Sequence, residues 1–123
     1  MSENKPGETP AKKVVGEAAA LEKIAAMPEP YRAIGERIHA LVLRSAPVLQ
    51  PTTWYGMPAY AKDGKVVCFF RADAYMTFGL TENANLTLEV GAPDQLRATS
   101  WFFTDLDEAT EARLAAIVSR AAS

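Results

Sequence analysis

The sequence predicts an α+β domain: an antiparallel sheet of four to five strands, with two N-terminal helices and one C-terminal helix packed on it. Three observations predict this. Apolar residues recur at helical spacing up to Pro47 and again after Asp107. The stretch between is rich in aromatic and β-branched residues, which fit a pleated surface. Asp63-Gly64 interrupts that stretch between Tyr60 and Val66, the signal of a tight hairpin, because glycine tolerates positive φ.

Each element follows from local chemistry. Met1 to Lys13 holds no large apolar residue beyond the first Met, so it reads as a tail that cannot offset its ordering entropy. The single domain then runs from 14 to 123. Val14 to Met27 is dominated by Ala, Leu, Glu and Lys, all good helix formers. Pro28-Glu29-Pro30 breaks it, and Pro30 suits the first turn of the next helix, where a missing N–H costs nothing. Tyr31, Ile34, Ile38, Leu41 and Val42 form one stripe of that helix, which Ala46-Pro47 closes. The sheet begins at Pro51 to Trp54. Lys65 to Arg71 is apolar on both faces, with Val66, Cys68 and Phe70 on one and Val67 and Phe69 on the other, the habit of a central strand. Tyr75 to Leu80 forms the next strand. Thr81 to Leu96 mixes loop signals (Asn83, Asn85, Gly91, Pro93) with Leu86 and Leu88. Thr99 to Thr104 is a short strand. Asp105 or Asp107 caps the last helix, whose buried stripe is Leu114, Ile117, Val118 and Ala121.

Composition limits the function. Apolar residues make up 49% and charged residues 23%, ordinary for a globular chain, and the net charge of -2 argues against nucleic acid as a partner. No run approaches the roughly 18 apolar residues of a membrane span. With no apolar signal core at its start, the chain is expected in the cytoplasm. A single cysteine, Cys68, excludes an internal disulfide and any multi-cysteine metal site. Cys68 lies in an apolar strand and reads as an inert buried thiol. The single histidine, His39, reads as lying on the polar flank of its helix, with only Glu36 nearby on that helix.

The central stretch carries a resemblance. Pro28-Glu29-Pro30-Tyr31, Ala46-Pro47, Tyr55-Gly56-Met57-Pro58-Ala59-Tyr60 and Gly64-Lys65 before an apolar strand together resemble the YdhG-like family, a bacterial domain whose members are often described as iron chaperones. The resemblance covers about Val14 to the C-terminus and implies helices packed on an antiparallel sheet. It implies no catalytic residue. Two departures stand out: Tyr55 lies between Trp54 and Gly56, and the segment after Leu80 is not rich in Lys and Tyr.

The functional expectation is a non-catalytic module that binds a small molecule or a protein. Its candidate site is Trp54, Tyr55, Met57, Pro58, Tyr60 and Tyr75, because aromatic rings supply large contact areas with a polar tip. No catalytic residue, metal or cofactor is expected. The alternative is iron delivery through hard oxygen ligands at Asp105, Asp107, Glu108 and Glu111, which helix capping also explains. A third reading is an enzyme with a Tyr or Glu acid–base group. Since three helices need not cover both apolar faces of the sheet, a homodimer through Phe69, a ligand in a pocket rimmed by Trp54, Tyr60 and Tyr75, or the Thr81–Leu96 segment folded over that face is expected to cover the other.

Overall fold

The computed structural model describes residues 10–123, with side chains from Val15 onward; most of the expected tail therefore lies outside the described residues. The first helix, α1 (Pro10–Ala25), starts before the expected Val14, with proline in its first turn. Helix α2 spans Tyr31–Ser45. Pro30 occupies its N-cap and supplies no side-chain cap. Glu29 does so instead: its carboxylate accepts from the Ala33 N–H at 3.1 Å and pairs with Arg32 at 3.0 Å. Those two contacts, the backbone one first, hold the Glu29 carboxyl below the usual range.

Five strands follow in sequence: β1 (Gln50–Trp54), β2 (Met57–Lys62), β3 (Lys65–Ala72), β4 (Met76–Leu80) and β5 (Ser100–Phe103). They form one antiparallel meander in the order β1-β2-β3-β4-β5, so β3 is the central strand. The β2–β3 hairpin turns at Asp63-Gly64, with φ of 53° and 80°. Helix α3 (Glu108–Ala121) closes the chain, and Asp107 caps it by accepting from the Thr110 N–H at 2.8 Å.

The register divides the side chains between two faces. Tyr60, Cys68, Phe70, Phe78 and Met76 point to the helices and are fully buried. Ile24 from α1, Ile38 and Leu41 from α2, and Leu114 and Val118 from α3 complete this core. Gly35 lets α2 approach closely, since a Cβ there would lie 3.1 Å from Ile24 and 3.3 Å from Phe70. The expected division of β3, with Val66, Cys68 and Phe70 on one face and Val67 and Phe69 on the other, fails at one point. Tyr60 pairs Cys68 but Ala61 pairs Val66, so Val67 is the extra residue of a β-bulge. The bulge takes Val67 into the core at 1% exposure and leaves Val66 half-buried.

Helix α3 is tied to α2 by Arg37, which donates to the Leu106 carbonyl at 3.0 Å and to Glu111 at 2.7 Å. The connection from β4 to β5 contains no strand and packs on α3: the Asn85 N–H donates to the Ala121 carbonyl at 2.8 Å. The expected fold of Thr81–Leu96 over the second sheet face is therefore not what this segment does.

Candidate functional site

The candidate residues begin at the β1–β2 turn. Trp54 pairs Met57 across a two-residue turn in which Tyr55 and Gly56 have φ of 51° and 77°. Both central residues are left-handed, the geometry that matches the twist of a hairpin. Tyr55-Gly56 is thus a second tight turn, beside the one at Asp63-Gly64. The turn drives the Tyr55 ring outward to 85% exposure, where it meets Trp54 edge-on at 4.8 Å.

Trp54 and Met57 share the sheet face turned away from the helices. There the Trp54 ring packs on Phe69 at 5.1 Å. Phe69 lies flat over Gly79, whose added Cβ would sit 2.4 Å from the Phe69 Cζ. A side chain at this site would displace the tip of the ring above it. Ala59 pairs Phe69 on the same face and is fully buried. At the β5 end, Phe102 is 65% exposed and meets Tyr75 at 4.8 Å. Thr77 lies between, pairing Arg71 and Phe102; its hydroxyl has no hydrogen-bond partner among the described residues. The only charged side chain of this face in the β3–β4 register, Arg71, is paired with Asp73 at 2.9 Å. None of the three helices covers this face.

The predicted site is therefore divided. Trp54, Tyr55 and Met57 come together at one end of the open face, and Tyr75 stands at the other. Pro58 and Tyr60 project toward the helices. Pro58 precedes the first β2–β3 pair at Ala59, so its missing N–H costs no ladder bond on that side.

Tyr60 instead joins a buried polar chain. Its hydroxyl lies 2.7 Å from His39 Nδ1, and His39 Nε2 lies 2.9 Å from a Glu17 carboxylate oxygen. His39 is 7% exposed, which corrects its expected place on a polar flank. Its partners come from α1 and β2, not from its own helix. A neutral imidazole satisfies both contacts: Nε2–H donates to Glu17, and Nδ1 accepts from the Tyr60 hydroxyl. Burial, then the neighbouring Cys68 and Glu17, hold the Tyr60 hydroxyl above its ordinary range, so it stays a donor. Carboxylate, imidazole and hydroxyl in a row resemble an acid–base relay, but the terminal hydroxyl is sealed in the core beyond the reach of a substrate. Cys68, beside Tyr60, is fully buried, and burial pushes its thiol up to about 12.

The acids weighed for iron are spread over separate tasks. Asp105 accepts from the Leu106 N–H at 2.9 Å, and Asp107 caps α3, its carboxyl lowered by the Thr110 hydrogen bonds. Glu111 pairs with Arg37 at 2.7 Å and Arg44 at 3.7 Å. Among the described residues no three His, Cys, Asp or Glu side chains converge as metal ligands. Among the described residues no helix is long and apolar enough to cross a membrane.

Sequence reasoning passed over a second feature. A cleft of about 410 Å³ opens between the β4–β5 connection, β5 and α3. Trp101 and Ile117 line it, and both also line an adjoining cleft of about 350 Å³ along β5 and α3. Ile117, a stripe residue of α3 in the sequence, is half-buried where it lines this cleft. Compared with family models, with curated proteins and with solved structures, the chain finds no match in any of the three.

Proposed function

We propose that this chain is a non-catalytic binding module that docks on a protein surface through the open face of its sheet, and that the occupant is a second copy of the chain. The observation that carries this reading is the Trp54–Phe69 pair, set over Gly79 on a face that none of the three described helices covers. Contiguous apolar surface of this kind is seldom left in water by a monomer. Charge favours a second copy as the occupant. Arg71 is neutralised by Asp73 on the same surface, so two such faces meet without like-charge repulsion. A two-fold axis through one self-complementary patch closes the assembly at two subunits.

The YdhG-like resemblance belongs to this proposal, and so does a cytoplasmic setting. Every position of its Gly56–Tyr60 core has an architectural explanation: Gly56 for the turn, Met57 and Ala59 for the open face, Pro58 and Tyr60 for the helix side. The reading thus asks no ligand of that motif. Sedimentation velocity tests it. The wild-type chain is expected to dimerise at micromolar concentration, and Phe69→Glu to sediment as a monomer with unchanged far-ultraviolet circular dichroism. A wild-type chain that remains monomeric at hundreds of micromolar, or a Phe69→Glu variant that still dimerises, refutes it.

A further inference from the structure

The cleft between β5, α3 and the 81–99 connection lies on the helix side of the sheet, apart from the face just described. Trp101 pairs Phe78, a core residue, whereas Phe102 faces the opposite way. Leu80, Leu86 and Leu96 complete an apolar wall with Trp101 and Ile117. A volume of about 410 Å³ falls in the range of small-molecule sites.

The charges around that wall do not balance. Three guanidinium groups line the cleft, Arg97, Arg113 and Arg120, against one carboxylate, Glu89. Glu89 is taken by Arg120, which also donates to the Thr87 carbonyl. Arg97 is held by two backbone carbonyls: its Nε donates to Leu86 and a terminal nitrogen to Gln95, each at 2.9 Å. It has no carboxylate partner among the described residues. Arg113 is exposed, and no hydrogen bond or ion pair from it is seen among the described residues. Two positive charges are thus left at an apolar cleft in a chain whose net charge is -2. Gly91, the glycine of this connection, does not line the cleft, so there is no glycine cradle of the kind that receives phosphate.

We propose that this cleft binds a small organic carboxylate with an apolar body. The body rests on Trp101, Ile117 and the leucines. The carboxylate faces Arg113, whose planar fork donates two parallel hydrogen bonds to the two oxygens. Arg97, already fixed by its carbonyl contacts, adds a second positive charge without having to be ordered on binding.

The test uses the full chain and a matched pair of probes, 2-naphthoate and its neutral analogue 2-naphthamide, titrated by calorimetry. The acid is expected to bind at least about tenfold more tightly than the amide, the factor a charge-assisted pair supplies. Arg113→Met keeps the apolar stem and is expected to remove that preference by weakening the acid alone. Trp101→Ala weakens both probes. Phe69→Glu, on the other face, leaves naphthoate binding unchanged, which separates this site from the dimer reading. Equal affinity for acid and amide, acid binding untouched by Arg113→Met, or no acid binding at millimolar concentration each overturns the proposal.

Discussion

Replacing Tyr60 by Phe removes one oxygen atom from the core and is the sharpest probe of the Glu17–His39–Tyr60 chain. The ring is fully buried and stacks on Phe70 at 6.3 Å, so the variant keeps its packing. What it loses is the 2.7 Å contact to His39 Nδ1, leaving that nitrogen buried without a donor. A hydrogen bond contributes about 1 kcal/mol net, whereas a buried polar atom left unpaired costs about 1–3 kcal/mol. The second figure governs here, because His39 is 7% exposed and water reaches it poorly. Glu17 is nearly half exposed and contributes less, its charge being screened. Tyr60→Phe is therefore expected to lose about 1–3 kcal/mol in urea unfolding followed by circular dichroism, with the m-value unchanged. The double variant Tyr60→Phe/His39→Leu removes both partners and is expected to recover part of that loss, since an apolar pair of similar shape can be nearly neutral. A single variant within about 0.5 kcal/mol of wild type, the range of an ordinary surface change, refutes the argument. So does a double variant whose loss is the plain sum of the two single ones.

Gly79 and Cys68 offer two further tests. Gly79→Ala places a Cβ 2.4 Å from the Phe69 Cζ, so the tip of the ring must shift; the expected result is altered Trp54 fluorescence with secondary structure kept and a loss of about 1 kcal/mol, the low end for overpacking because the displaced atom ends a side chain, and unaltered emission contradicts it. Burial pushes the Cys68 thiol from an ordinary 9.0 up to about 12, so the unfolded chain binds fewer protons between those limits; the thiol's contribution to stability is full below pH 9 and falls by about 1.4 kcal/mol per pH unit above it, the raised Tyr60 hydroxyl adds a further fall above pH 10, and Cys68→Ala is expected to reduce the total slope.

The elements that the sequence made legible are those whose signals are local. Asp63-Gly64 turns where its residue types allow positive φ, and Asp107 caps α3 through a bond to its own helix three residues on. The stripes of α2 and α3 face the core because a 3.6-residue period needs only one chain segment to be read. Features that depend on a distant partner were not legible. His39 has no suitable neighbour on its own helix, yet Glu17 from α1 and Tyr60 from β2 satisfy both ring nitrogens. The Val67 bulge arises from a mismatch between two strands. The Tyr55-Gly56 turn was hidden because Tyr, unlike Asn or Asp, gives no warning of positive φ.

The run of aromatic residues around Gly56 teaches why a site is not a string. Along a strand successive side chains point to opposite faces, so a motif five residues long serves two surfaces at once. Met57 and Ala59 belong to the open face, whereas Pro58 and Tyr60 belong to the helix side. Tyr60 is needed by His39, and a residue committed to a buried hydrogen bond cannot also turn outward to a ligand. The partner that restores an aromatic surface is instead Phe69, nine residues later and one strand away, which reaches Trp54 across Ala59 because that residue is small. A binding surface on this fold is therefore assembled by register, one residue from each of several strands. A charge introduced at Phe69 and an oxygen removed at Tyr60 accordingly perturb different properties, association in the first case and stability in the second.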